Sequence, residues 1–299
     1  MFIKNRMKRF SVVFIILFLV FISMPVRNQG RAFSFIGLDD DWTTFMHDPE
    51  HSGCSKDVLK PPLEKVWTFE TQGILTSSPI VNLSYVYFGS RNTYPPELPP
   101  KLYCLNRYTG VKVWEYKTGP IISSPCVSCS YVYTSSDIGA LLCLNGTTGE
   151  QKWVYDKRPK EKDYVPFGLP INPFSCAVVD DYLYVSNYRR IACFDKSTGE
   201  LKWMSEESSF ENLSSPAISG DLLFIGGGET VYCFDRKTGE KKWEYKTGNI
   251  IHSSPSISGD FVFIGSNDNK IYCLDKKTGT KVWEYLTDGA VLSSPAVSG

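Results

Sequence analysis

From residue 63 onward the apolar residues come in short bursts, and a turn signal closes each one. The stretch from Ile250 to Leu286 shows the unit most plainly: IIHSSPSIS, FVFIGS, KIYCLD and KVWEYL, here called segments A to D. Gly259-Asp260 separates A from B, Asn267-Asp268-Asn269 separates B from C, and Lys276-Lys277-Thr278-Gly279 joins C to D. Short runs rich in Val, Ile, Tyr and Phe between Gly, Asn and Asp predict antiparallel strands, and Gly279 suits the positive φ of a tight hairpin. No sustained helical period follows residue 24, so the pattern predicts an all-β chain.

The unit repeats. Trp67, Trp114, Trp153, Trp203, Trp243 and Trp283 are spaced 47, 39, 50, 40 and 40 residues apart. A four-stranded unit at a period near 40 predicts a β-propeller, because one such sheet cannot cover both of its faces and must stack on its neighbours around an axis. FVFIG and LLFIGG are apolar throughout, as expected of strands covered on both faces. Ser-Ser-Pro at 77–79, 123–125, 214–216, 253–255 and 293–295 is small and polar, which suits the innermost strand beside the axis. Proline is tolerated there because the strand is an edge. A lone D-like segment, Leu63–Glu70, precedes five complete units spanning about 74–117, 120–156, 171–206, 212–247 and 250–287, and a further A segment follows. The count predicts five complete blades plus partial ones, a C-terminally incomplete piece of a seven- or eight-bladed ring.

Around the last tryptophan the text is CLDKKTGTKVW, Cys273 to Trp283, and it recurs in register at Cys104–Trp114, Cys143–Trp153, Cys193–Trp203 and Cys233–Trp243. These copies resemble the tryptophan-docking motif of the PQQ-type, quinoprotein-like β-propeller repeat. Asn106 and Asn145 replace its Asp, and Cys replaces its Ala in all five. The stretch DWTTFMHDPEHSG, Asp41 to Gly53, is similar to the opening of many exported members, so the resemblance covers about 42–299. It implies that Trp67, Trp114, Trp153, Trp203, Trp243 and Trp283 each dock on the next blade. Gly110, Gly149, Gly199, Gly239 and Gly279 would lie in the turns that anchor them. Within the family the chain looks most like the non-enzymatic branch that includes the outer-membrane-protein assembly propeller.

Lys+Arg 32 and Asp+Glu 32 cancel, but residues 1–34 hold six of the cations and no acid, leaving 26 basic against 32 acidic residues elsewhere. An acidic folded part is a poor match for phosphate, which excludes nucleic acid as the expected partner. Four cations precede the apolar run Ser11–Met24, whose length is that of a signal-peptide core and short of a membrane span. Residues 1–34 are therefore expected to be a cleaved signal peptide or an uncleaved N-terminal anchor. Residues 35–62 would be a lead-in, and 63–299 the propeller. Either fate of the N-terminus puts the folded part outside the cytoplasm, periplasmic, secreted or anchored facing outward.

The nine cysteines resemble a metal or disulfide set until they are aligned. Five share one position on segment C, where a buried thiol substitutes for alanine and equivalent positions on neighbouring blades lie too far apart to bridge. Cys126-x-x-Cys129 falls on the Ala and Gly that end segment A, and no second pair stands at zinc spacing, so metal binding or a local disulfide is the lesser reading. Cys54 and Cys176 carry no assignment. His47 and His51, four apart around Asp48, fit lead-in packing better than a metal face, since Pro49 and Gly53 oppose a helix. His252 lies on segment A, lining the axis or packing.

The family's enzymes hold PQQ beside calcium, with an acidic base and often a disulfide between adjacent cysteines. No Cys-Cys dipeptide and no assignable base occur here, so no catalytic residue, cofactor site or metal site is expected. Two insertions interrupt the period: SRNTYPPELPPK (Ser90–Lys101) in the first B–C connection and DKRPKEKDYVPFGLPIN (Asp156–Asn172) between the second D and third A segments. Both connections leave an antiparallel blade at the same end. Tyr94, Glu97, Tyr164, Phe167, Arg189 and Arg190 would therefore share one face, open to a protein partner or small ligand. Membrane contact is expected only through an uncleaved N-terminus. The expected function is an exported binding or scaffolding module; the alternative is a PQQ-dependent alcohol or sugar dehydrogenase needing sequence beyond this chain.

Overall fold

Each Asn or Asp at the third position of the repeated motif turns the chain. In the computed structural model Asn106, Asn145, Asp195, Asp235 and Asp275 each accept, through Oδ1, the backbone N–H groups two and three residues ahead at 2.8–3.0 Å. Their carbonyls accept the N–H of Gly110, Gly149, Gly199, Gly239 and Gly279 at 2.8–2.9 Å. Only an acceptor oxygen is needed, so an amide serves as well as a carboxylate, which accounts for the two Asn copies.

The structure describes residues 41–55, 65–71, 74–75, 77–91, 99–118, 123–135, 140–156, 176–186, 190–205 and 213–298. Their regular structure is entirely strand. In blade 1, segment A is split into β1 (Ile74–Leu75) and β2 (Ile80–Asn82), both paired with β3 (Tyr85–Arg91), and β4 (Lys101–Asn106) and β5 (Lys112–Lys117) follow. Blade 2 comprises β6 (Cys126–Ser128), β7 (Tyr131–Ser135), β8 (Leu141–Asn145) and β9 (Gln151–Tyr155). Blade 3 comprises β10 (Cys176–Val179), β11 (Tyr182–Ser186), β12 (Ile191–Asp195) and β13 (Leu201–Met204). Blade 4 comprises β14 (Ala217–Ser219), β15 (Leu222–Gly227), β16 (Thr230–Asp235) and β17 (Lys241–Lys246). Blade 5 comprises β18 (Ser256–Ser258), β19 (Phe261–Ser266), β20 (Lys270–Asp275) and β21 (Lys281–Leu286). All pairings are antiparallel, blades 2 to 5 follow chain order, and each C–D ladder is bulged beside the motif cysteine.

The core lies between the sheets, where the alternation of B and C strands places it. Ile80, Tyr87, Leu102 and Trp114 of blade 1 meet Val127, Val132 and Leu144 of blade 2. Cys126, Tyr133 and Cys143 on the other face of blade 2 meet Leu183, Val185 and Phe194 of blade 3. Neighbours along one strand thus serve opposite interfaces, the period-2 logic of a sheet buried on both sides. The D-like segment is not a regular strand over its described residues, yet Trp67 and Phe69 pack on blade 1 against Val86, Phe88 and Tyr103. Residues 1–40 lie outside the described residues, and with them the expected signal peptide or anchor.

Candidate functional site

The joints between blades are built from one indole and one glycine. Trp67, Trp114, Trp153, Trp203 and Trp243 donate Nε1–H to the carbonyls of Arg107, Gly146, Lys196, Arg236 and Lys276 at 2.7–3.1 Å. Each acceptor begins the C–D turn of the following blade. A Cβ on Gly110, Gly149, Gly199, Gly239 or Gly279 would lie 2.6–2.8 Å from that same indole, and all five glycines have φ between 70° and 75°. The docking residues named from the motif are thus brought together pairwise at five joints. Trp283 is 43% exposed, and Val282, Tyr285 and Leu286 beside it on β21 are exposed as well.

Ser-Ser-Pro turns out to be a second joint, nearer the axis. The first serine ties its own blade: Ser77 Oγ accepts Gly89 N–H, Ser214 Oγ accepts Gly226 N–H and Ser253 Oγ accepts Gly265 N–H, at 2.7–2.9 Å. The second serine ties the next blade: Ser78 N–H donates to Ser124 Oγ, Ser215 N–H to Ser254 Oγ and Ser254 N–H to Ser294 Oγ, at 2.9–3.2 Å. Small side chains are required because the A strands converge here.

At the axis the free edges of the A strands are met by the lead-in. The carbonyls of Trp42, Thr43, Pro49, Glu50 and Ser52 accept the N–H groups of Val81, Val127, Ile218, Ile257 and Val297 at 2.6–2.9 Å. Those five donors stand at the same position of their A segments, two residues after Pro79, Pro125, Pro216, Pro255 and Pro295. At blade 3, Thr44 Oγ1 donates to the Cys176 carbonyl instead, at 3.0 Å. One short segment therefore satisfies an inward-facing backbone group in each blade in turn. Asp41 places it at the end of the disc carrying the A–B and C–D turns, accepting Leu83 N–H at 2.8 Å and pairing with Arg107 at 3.4 Å. The sequence reading missed this strap; the match to family openings was the only signal for it.

Within the strap, His51 is fully buried with Nδ1 3.0 Å from the Pro255 carbonyl, and Phe45 meets its ring edge-on. Burial lowers its pKa to about 4, although the Pro255 carbonyl and the Asp48 charge act the other way. His47 lies edge-on to Trp42 and 3.1 Å from Asp48 Oδ2. Ser52 Oγ donates to that same carboxylate oxygen at 2.5 Å. Burial raises the Asp48 pKa, but hydrogen bonds from Ser52 and His47 outweigh it and leave the carboxyl below its usual range. Hydroxyl and ring converge on the acid, so this Ser, His and Asp do not form a nucleophilic relay, which needs the hydroxyl on the other ring nitrogen. His252 is exposed.

The opposite end of the disc gathers the B–C and D–A connections. In blades 4 and 5 Gly248 N–H donates to Asp268 Oδ2 at 2.8 Å, Asn267 N–H to the Ile250 carbonyl at 2.9 Å and Thr287 N–H to the Asn269 carbonyl at 2.7 Å. By the same topology the connections that leave β3 and β9, into which the two insertions fall in the sequence, begin at this end. Tyr94, Glu97, Tyr164, Phe167 and Arg189 lie outside the described residues. Arg190 is half-buried, with Nη1 3.6 Å from Met204 Sδ.

The axial serines are spent on one another and on the backbone, and Glu50 accepts Ser219 Oγ at 2.7 Å. No group of three or more His, Cys, Asp or Glu is placed to hold a metal among the described residues. Cys104, Cys143, Cys193, Cys233 and Cys273 are all buried. Burial pushes the thiols of Cys104, Cys143, Cys193 and Cys233 up to about 12, which disfavours the thiolate. Cys126 is buried while Cys129 is exposed, with φ 55° at the position that is Gly220 in blade 4, so the two do not form a local pair.

The family model described as outer membrane protein assembly factor BamB matches residues 64–285. A search of curated proteins finds no match. Among solved structures the chain is similar to BamB from Moraxella catarrhalis, at 20% identity and a TM-score of 0.49 over 77% of this chain and 82% of that one. It is also similar to a europium-containing methanol dehydrogenase, at 13% identity and a TM-score of 0.64 over 83% of this chain and 58% of that one. A quinohemoprotein alcohol dehydrogenase from Comamonas testosteroni gives 14% identity and a TM-score of 0.65 over 84% and 49%. The chain thus spans about half the length of these two dehydrogenases, and at such identities they share its fold alone.

Proposed function

The chain belongs to the family of the outer membrane protein assembly factor BamB, and from that premise we propose that it is an exported β-propeller scaffold that binds a protein partner through the B–C/D–A end of its disc. One observation carries the choice of end: residues 41–53 of the chain itself cover the axis at the A–B end, which leaves the end where the B–C and D–A connections begin as the one open to a partner. Loops raised on rigid blades are where a propeller can change its partner without changing its core. The insertions are rich in proline and carry Tyr94, Tyr164 and Phe167. Such residues supply contact area at a small ordering cost. Export is supported by the cation-flanked apolar segment before residue 25, and the family name places its namesake at an outer membrane.

The test is site-specific photo-crosslinking in the host. A photoreactive residue at Tyr164 or Phe167 is expected to capture a protein, and one at Lys237, on a C–D turn at the opposite end, is not. Capture from Lys237 alone would reverse the assignment of the face. Fractionation with protease shaving decides export separately.

A further inference from the structure

Cysteines at equivalent places on segment C are held apart by the width of the sheets, but segment A is different because neighbouring A strands converge on the axis. Cα atoms of β6 and β10 come within 8 Å of each other. At this one joint both strands carry cysteine. Cys126 follows the proline of its blade, and Cys176 stands where blade 4 has Pro216, since Ala177 and Ala217 pair with the equivalent Tyr184 and Phe224. Cys176 Sγ lies 3.6 Å from the carbonyl of Tyr133, the residue paired with Cys126. Both cysteines are buried in one apolar cluster. The joint between blade 5 and the following A segment shows the same reach with other chemistry: Ser256, one residue after its proline, donates Oγ–H to the carbonyl of Pro295 across the joint. A side chain at the Cys126 position therefore points at the residue in the Cys176 position of the next blade.

We propose that Cys126 and Cys176 form an inter-blade disulfide site, closed by exchange with a small disulfide oxidant while the chain folds outside the cytoplasm. One cysteine thiolate attacks the oxidant disulfide and releases one thiol. The second thiolate then attacks the mixed disulfide, forms the Cys126–Cys176 bond and releases the second thiol. Two protein thiols are oxidised and one oxidant disulfide is reduced to two thiols. The exchange belongs to folding, because both sulfurs are inaccessible afterwards. The bond would tie two A strands whose cysteines are 50 residues apart in the chain, beside a Ser-Ser joint. Cys143 is no competitor: it faces the same cluster from strand C, two ladder spacings from Cys126, about 10 Å, beyond the Cα separation a disulfide allows. Cys129 is no competitor either, being exposed at the A–B turn.

The proposal takes its oxidant from the exported reading, and two sources of protein separate them. Full-length chain refolded in a mixture of oxidised and reduced glutathione tests the geometry alone. After acid quench, denaturing alkylation without reduction and proteolysis, mass spectrometry is expected to find the Cys126 peptide joined to the Cys176 peptide. Cys129→Ser should keep the link, and Cys176→Ser should leave Cys126 alkylated. Both cysteines alkylated in the refolded wild-type chain, or Cys126 joined to Cys129 or Cys143, would overturn the proposal, and neither outcome depends on how well a variant folds. Protein recovered from the host is expected to carry the link. Free thiols there, from a chain that links in glutathione, would count against export and leave the geometry of the pair standing.

Discussion

A Cβ added to Gly239 would lie 2.6 Å from Cε3 of Trp203, so the indole of blade 3 occupies the space that glycine leaves open on the turn of blade 4. The same indole reaches past the turn to bond the Arg236 carbonyl at 2.9 Å. Conformation and space therefore make separate demands on that residue, since φ at Gly239 is 75°.

Gly239→Ala and Gly259→Ala separate those demands. Both sit at positive φ, but a Cβ at Gly259 meets nothing within 4 Å. Gly259→Ala is expected to cost only the left-handed conformation, about 1–2 kcal/mol. Gly239→Ala adds the collision with Trp203 and should cost at least about 2 kcal/mol more, in the range of overpacked cores. Urea midpoints at constant m-value check the difference.

Truncating the indoles tests the joint from the other side. Trp114 is 9% exposed and Trp283 is 43% exposed. Trp114→Ala is expected to destabilise by about 3–5 kcal/mol, the usual range for deleting a buried aromatic side chain. Trp283→Ala should stay within about 1 kcal/mol of the parent chain. Equal losses at the two positions, measured by denaturant unfolding, would show that docking on a following turn adds nothing.

The blades were legible because each is written locally, in a two-residue alternation and a Gly or Asn at each turn, whereas the docking pairs were expected only from the resemblance of the repeated motif, with one tryptophan per copy. The strap was not, because its bonds are made by the backbone carbonyls of Trp42, Thr43, Pro49, Glu50 and Ser52, and carbonyls leave no side-chain signature. Long-range pairs such as Arg236 with Asp180, at 2.6 Å between blades 3 and 4, were equally silent, since exposed Asp and Arg are common in turns. Ser-Ser-Pro was visible as a repeat and correctly placed beside the axis. Its division of labour, one hydroxyl within the blade and one across to the next, needed coordinates.

Cofactor loading follows from the donor set. With the axial serines engaged and no metal-binding cluster among the described residues, the full-length protein mixed with PQQ and Ca²⁺ is expected to elute from gel filtration without quinone absorbance. A retained chromophore with a raised melting temperature would contradict that.

His51 sets an acid limit on stability. Its pKa falls from 6.5 to about 4 on folding, with burial as the main cause. Between those values the unfolded chain binds a proton that the native chain does not. The contribution is therefore complete above the unfolded value and is lost as pH falls toward the folded one. From about pH 7.5 to about pH 5 the loss should be on the order of 2 kcal/mol. Asn tolerates the left-handed φ of 58° at this position, so His51→Asn should flatten that part of the profile. Urea midpoints at the two pH values measure it.

Hydrogen exchange tests the strap most directly. Val81, Val127, Ile218, Ile257 and Val297 direct their N–H groups away from the B strands, and a bare sheet edge would exchange them quickly. Because lead-in carbonyls accept all five, these amides are expected to be protected together, like ladder amides within the blades. Deleting residues 41–53 removes every acceptor at once. A buried donor left unpaired costs about 1–3 kcal/mol, so the free edges should either hydrate or let the blades separate. The deletion is thus expected to turn five slow amides, one in each of five A segments, into fast ones and to lower the unfolding midpoint. Protection that survived the deletion would mean that the blades hold their own inner edges and the strap is only laid across them.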